Sequence, residues 1–191
     1  KYPNKYQYYD SAYITLGLIC ANKAVEFNSA IYVICATGFY NASGQFGIYK
    51  LTNFVNDNLV INKVQGAATP DMAFDIYVWN SHIYYTNNNG SNALLRYSSD
   101  GTTWLTAYSK STSDDMYFLK GFNNYLYLTG KFGIERTNTD PATSGWSSVY
   151  SDKIVYGIEL FNNRLYACTD EGIIVSDDGT TWDIFDENIT V

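Results

Sequence analysis

Basic residues are scarce in this chain. Lys and Arg number 12 against 19 Asp and Glu, for a formal net charge of −7 over 191 residues. Phosphate recognition works by displacing counterions with clustered Lys and Arg, and no basic run is present. The balance argues against a nucleic-acid partner and against an anionic membrane surface. Histidine is rarer still, because His82 stands alone. With one imidazole and no Cys-x-x-Cys, the residues argue against a zinc site and a His-based catalytic triad. Neither a metal nor a cofactor is expected. Only three cysteines occur. Cys20, Cys35 and Cys168 sit among apolar neighbours and read as small buried hydrophobes; a Cys20–Cys35 disulfide is the alternative. The longest apolar run, 12–21, is about half a membrane span, so no membrane insertion is expected. The chain opens on Lys1 without a visible secretory signal, which reads as a processed product or an excised piece.

What the chain has in excess is aromatic. Phe, Trp and Tyr make up 17% of it, and 19 residues are Tyr. Tyr, Thr, Val and Ile favour half-buried pleated surfaces, and Asn and Gly favour turns. The composition points to an all-β fold in a single domain.

Internal repeats organise that fold. Four segments fit aromatic–Asn–(Asn/Ser)–x–(Ile/Leu)–Tyr: 27–32 (FNSAIY), 79–84 (WNSHIY), 122–127 (FNNYLY) and 161–166 (FNNRLY). Each interrupts alternating apolar stretches and reads as a hairpin. They recur after about 52, 43 and 39 residues. A third strand follows each hairpin, at 46–51, 93–98, 132–137 and 172–176. A short fourth closes each unit, at 59–64, 103–108, 146–151 and 181–186. Four antiparallel strands at roughly 40-residue spacing match the blades of a β-propeller. The division is blade 1 at 23–70, blade 2 at 71–113, blade 3 at 114–152 and blade 4 at 153–191. Residues 1–22 read as an extra N-terminal strand. About four blades make either a closed ring or part of a larger propeller.

One phrase separates the third and fourth strands. It is YSSDGTTW at 97–104 and VSDDGTTW at 175–182, with a worn copy at 136–146 and none in the first unit. Asp-Gly suits a tight turn, because Gly tolerates positive φ and Asp accepts from nearby backbone amides. The phrase resembles the Asp box, or BNR repeat, of sialidase-like propellers, in a short Ser-x-Asp-Gly-x-Thr-Trp form. Its residues are Ser98, Asp100, Gly101, Thr103 and Trp104, then Ser176, Asp178, Gly179, Thr181 and Trp182. The resemblance implies a structural turn away from the ligand face. It does not extend to sialidase chemistry, since Arg96 and Arg136, at matched positions in third strands, and Arg164, opening a second strand, do not form an arginine trio.

Function is therefore sought along the axis and on the opposite loops. Counting by twos back from each hairpin aromatic places Lys23, Asp75, Lys120 and Glu159 as a mixed-charge ring on the innermost strands. Asp75 and Glu159 are the candidate carboxylates for glycoside hydrolysis, although such charges also pair structurally. The loops at 36–45, 52–58, 65–71, 86–92 and 111–115 are rich in Tyr, Asn, Ser and Gly, a mixture that suits sugar or protein recognition. Tyr40, Asn41, Asn87 and Asn88 on loops, with Tyr77 and Lys120 at the channel, are the candidate binding residues. The expected function is a non-catalytic binding module for a glycan or protein, outside the cytoplasm on a cell surface or virion. A glycoside hydrolase and a structural subunit of a virion or surface assembly are the alternatives, and a homo-oligomer or larger assembly is the possible partner state.

Overall fold

The computed structural model describes residues 19–37, 47–53, 60–66 and 72–186. Among them sixteen strands form four antiparallel sheets, and no α-helix occurs. Sheet 1 holds β1 (Ile19–Phe27), β2 (Ala30–Thr37), β3 (Gly47–Thr52) and β4 (Val60–Gly66). Sheet 2 holds β5 (Met72–Trp79), β6 (His82–Asn88), β7 (Asn92–Ser98) and β8 (Leu105–Ser111). Sheet 3 holds β9 (Met116–Phe122), β10 (Tyr125–Gly130), β11 (Gly133–Thr137) and β12 (Ser147–Tyr150). Sheet 4 holds β13 (Val155–Phe161), β14 (Arg164–Thr169), β15 (Gly172–Ser176) and β16 (Asp183–Asp186). Each sheet pairs its strands in chain order. The first described strand starts at Ile19, so residues 19–22 lie on sheet 1; the rest of the expected N-terminal strand lies outside the described residues.

The hairpin motif closes the first two strands of every sheet. Asn28 and Ser29, Asn123 and Asn124, and Asn162 and Asn163 all take positive φ, as does Asn80. Two left-handed residues make a turn whose twist matches the strands it joins, and Asn tolerates that region best among side-chain-bearing residues.

The sheets stack through their faces. One core packs Tyr32, Ile34 and Ile48 of sheet 1 against Ile76, Ile83 and Tyr85 of sheet 2. A second packs Trp79, Tyr84 and Leu95 against Leu119, Leu126 and Leu128 of sheet 3. A third packs Phe122, Tyr127 and Ile134 against Ile158, Leu165 and Ala167 of sheet 4. The first strands of successive sheets pack in the order β1, β5, β9, β13. Among the described residues β13 does not pack on β1 in the same way, so the sheets form a series and the expected closed ring is not seen.

The two Ser-x-Asp-Gly turns are the sockets of this stacking. Ser98 Oγ accepts from Gly101 N at 2.8 Å and donates to Asp100 Oδ1 at 2.9 Å. Asp100 Oδ1 accepts from Thr102 N and Thr103 N, both at 2.7 Å. Ser176, Asp178, Gly179 and Thr181 repeat the pattern. Gly101 and Gly179 both sit at φ +73°, and a Cβ on either would lie 1.8 or 1.9 Å from a tyrosine hydroxyl of the preceding sheet. That tyrosine is Tyr32 for Gly101 and Tyr127 for Gly179, the last residue of the hairpin motif. The worn copy in sheet 3 serves the same role differently: Ala142 N donates to Tyr84 OH at 3.1 Å. Trp104 and Trp182 sit just before the fourth strands, and Trp104 meets Tyr85 edge-on at 5.0 Å.

Candidate functional site

The first strands of the four sheets gather the predicted charges into two pairs. Lys23 Nζ lies 2.7 Å from Asp75 Oδ1, and Lys120 Nζ contacts Glu159 Oε1. The Tyr77 ring lies between the two ammonium groups, 5.2 Å from Lys23 and 6.0 Å from Lys120. A cavity of about 450 Å³ is lined by all four charged residues, with Phe118, Gly157 and Tyr166 among its walls.

Asp75 is 1% exposed, and both its oxygens are engaged. Oδ1 also accepts from Ile76 N at 2.9 Å, and Oδ2 accepts from Leu119 N at 2.8 Å on the neighbouring sheet. Burial pushes its pKa up, opposed by Lys23 and the two amides. Glu159 is held below its ordinary value by Lys120 and the Leu160 amide, against its partial burial, which acts the other way. The split in direction is what acid and nucleophile roles require. The hydrogen bonding is not: every partner of Asp75 is a protein donor, so it ties β1, β5 and β9 together and presents no free oxygen to a substrate.

A second feature comes from a repeated irregularity. The first strand of each sheet carries a β-bulge or register shift, between Ala21 and Lys23, Ala73 and Asp75, and Val155 and Gly157, and opposite Leu128–Gly130 in β9. A bulge leaves an extra residue unpaired and re-aims its side chain. The residues so released are Phe74, Tyr117 with Phe118, and Tyr156. Phe74 meets Tyr117 edge-on at 5.6 Å, and Tyr117 stacks on Tyr156 at 6.0 Å with 23° between planes. Three successive sheets thus build one aromatic ladder. Tyr156 is 41% exposed and Phe118 is 38% exposed.

Polar groups flank the ladder. Asn88 Nδ2 donates to Asp115 Oδ1 at 2.7 Å, and Asp115 Oδ2 lies 2.7 Å from Lys131 Nζ. Burial first, then the Asp115 carboxylate, pushes the Tyr117 phenol up. The turns here are those opposite the Ser-x-Asp-Gly turns, joining second to third strands and fourth to first.

The remaining candidates are distributed as follows. Asn87 and Asn88 lie on β6 and not on a loop, since β6 runs to Asn88 and β7 starts at Asn92. Asn87 is 1% exposed, and neither atom of its amide has a partner. Tyr40 and Asn41 lie outside the described residues. Arg96 and Arg136 are not equivalent: Arg96 pairs with Tyr85 and Arg136 with Tyr127, which puts them on opposite sheet faces. Arg136 Nη1 donates to Tyr127 OH at 3.2 Å, so it braces a socket. Cys168 is exposed and free, contrary to the buried role expected for it, because it lies on the face of sheet 4 that packs on no other described sheet. The side chains of Cys20 and Cys35 lie outside those described.

The aromatic ladder is absent from the sequence-based candidates, although its signal is present. Phe74, Tyr117 and Tyr156 each lie five residues before a hairpin aromatic. Counting by twos steps over them, because a bulge breaks the alternation.

The described residues define an all-β repeat protein of four stacked four-stranded sheets. No protein-family model and no curated protein matches the chain. Among solved structures, a puromycin-hydrolysing peptidase of Mycobacterium tuberculosis is similar, with a TM-score of 0.57 and 12% identity. The likeness covers 90% of this chain and 32% of that one, so the chain spans about a third of the peptidase's length. At this identity the likeness concerns the fold alone. Around the single histidine, Asp140 stands between its partners: His82 Nδ1 lies 2.6 Å from Oδ1, and Ser81 Oγ donates to Oδ2 at 3.2 Å. A nucleophilic triad needs the imidazole in the middle, against the hydroxyl.

Proposed function

We propose that the four sheets are consecutive blades of an Asp-box β-propeller, and that the protein binds glycans without transforming them. The repeat spacing, the box turns and the ordered packing of innermost strands support the propeller reading. The observation that carries the binding reading is the ladder Phe74–Tyr117–Tyr156. Aromatic faces and edges recognise the C–H faces of sugar rings, and amide and charged groups beside them direct hydroxyls. Asn88, Asp115 and Lys131 supply such groups at hydrogen-bonding reach of one another. The ladder lies away from the Asp boxes, on the end of the molecule that the box geometry leaves for ligands.

The test is a glycan array followed by calorimetry on the best ligand. Tyr156→Ala is expected to weaken binding about tenfold, the scale of one lost aromatic contact, with the circular dichroism spectrum and melting temperature retained. Tyr156 is exposed enough for that substitution to leave the core alone. An array without hits, or affinity untouched by Tyr156→Ala and Tyr117→Ala, refutes the reading.

A further inference from the structure

Sheets 2 and 3 hold a cation between them. Lys110 of β8 reaches across to sheet 3, where its Nζ lies 2.8 Å from Glu135 Oε1 and 4.3 Å from the centre of the Phe132 ring. The ring of Tyr108, on the same strand, is 5.7 Å from that ammonium and stacks on Trp146 at 5.1 Å, with 15° between planes. Aromatic faces within about 6 Å and a carboxylate in contact are what a desolvated ammonium needs. Here the chain supplies the cation itself.

The next interface repeats the positions and omits the cation. Tyr108 pairs with Leu95 and Tyr150 with Ile134, each partner standing three residues before Ser98 or Thr137. Trp182 takes the place of Trp146, directly before the fourth strand. By the same register Asp152 stands for Lys110, Glu171 for Phe132 and Ile174 for Glu135. The Tyr150 and Trp182 rings do not stack as Tyr108 and Trp146 do: they lie 6.3 Å apart at 57°. A cavity of about 650 Å³ opens beside them, lined by all five of these residues, and every other residue of its wall is also among those described.

The wall of this cavity is acidic. Asp152, Asp170 and Glu171 line it against one ammonium, that of Lys153, which is in contact with Glu171. Neither Asp152 nor Asp170 is in an ion pair among the described residues. The Tyr150 phenol feels the same sign of field: burial first, then Asp152, pushes its pKa up, Lys153 opposes, and Asp170 and Glu171 add to the rise. We infer that the cavity binds an alkylammonium ion, the chemistry that Lys110 supplies from within the chain one interface earlier. The Tyr150 and Trp182 rings take the alkyl chain and the face of the cation, and Asp152 and Asp170 supply the opposite charge. No residue of the wall belongs to the ladder Phe74–Tyr117–Tyr156 or to the polar groups beside it, so this site is separate from the glycan reading.

Titration with n-butylammonium chloride, against sodium chloride at matched ionic strength, tests the inference. The probe has the chain and charge of a lysine side chain. The readout is the indole N–H signal of Trp182 in a proton–nitrogen correlation spectrum, assigned through Trp182→Phe. A saturable shift of that signal is expected. Comparing n-butylammonium with Nα-acetyl-lysine amide separates a free amine from a lysine side chain as the source, by which of the two binds more tightly. The neutral n-butanol is expected to bind about tenfold more weakly, and Asp152→Asn with Asp170→Asn to weaken n-butylammonium about tenfold. Both aspartates are exposed, so the circular dichroism spectrum should be unchanged. Asp152→Lys is expected to abolish binding without lowering the melting temperature, because a lysine at that position fills the cavity as Lys110 fills its own box. Three outcomes overturn the inference: a Trp182 signal that n-butylammonium leaves in place, n-butanol binding as tightly as the cation, or binding that the aspartate variants leave unchanged. The first would mean that Lys153 occupies the cavity, the second that the cavity is merely apolar, and the third that the cation sits elsewhere.

Discussion

At the scale of single residues, the tyrosine–glycine socket joins a turn motif to a packing motif. Gly101 needs positive φ, and it also needs to lack a Cβ because Tyr32 occupies that space. Gly101→Ala is expected to cost about 2–4 kcal/mol, combining backbone strain with overpacking. The tyrosines themselves differ. Tyr32 OH is buried without a partner, whereas Tyr127 OH accepts from Arg136. A buried hydroxyl without a partner carries a desolvation cost that its removal relieves. Tyr32→Phe is therefore expected to be neutral or stabilising by up to about 1 kcal/mol, and Tyr127→Phe to destabilise by about 1 kcal/mol. Shortening Tyr32 also relieves part of the Gly101→Ala clash, so the pair is expected to be non-additive in a double-mutant cycle by urea denaturation. Strict additivity would show that Tyr32 does not fill the notch.

At the scale of elements, each Ser-x-Asp-Gly turn ties a third strand to a fourth through one carboxylate. The amide of Thr103 first, then that of Thr102, holds Asp100 well below the ordinary carboxylate range, and the Thr181 amide leads the same effect on Asp178. A depressed folded-state pKa contributes stability that is present above the unfolded value and lost as pH falls towards the folded one. The turns are thus expected to lose stability from about pH 4 downward. Asp100→Asn with Asp178→Asn should flatten that acid limb of the denaturation profile, and an unchanged limb would remove the boxes as its source. Much at this scale was legible in the sequence. Hairpins announce themselves through Asn turns and a six-residue motif, and third and fourth strands through apolar runs beside Asp-Gly. The innermost strands were only half legible. Alternation reaches Asp75 and Glu159 correctly on their strands, but a bulge is a local backbone event with no residue signature here. The side chains it re-aims, Phe74, Tyr117 and Tyr156, looked like ordinary strand aromatics. Long polar stretches misled in the opposite sense. Residues 86–92 read as a loop because Asn is common in turns, yet Asn87 and Asn88 pair along β6 with both neighbouring strands.

At the scale of the whole molecule, the four sheets are alike in topology and unequal in cover. Among the described residues, sheets 2 and 3 pack on a neighbouring sheet by both faces, whereas sheets 1 and 4 each do so by one. In a stacked repeat, stability is a sum of unit terms and nearest-neighbour interfaces, so the end units hold one interface where the middle units hold two. Local opening follows that inequality, because opening an end sheet breaks fewer buried contacts. Amide hydrogen exchange in dilute protein is accordingly expected to be slowest in β6 and β10 and fastest in β16, where Ile184 is 67% exposed. Uniform protection across all four sheets in dilute solution would mean that the ends are covered within one chain.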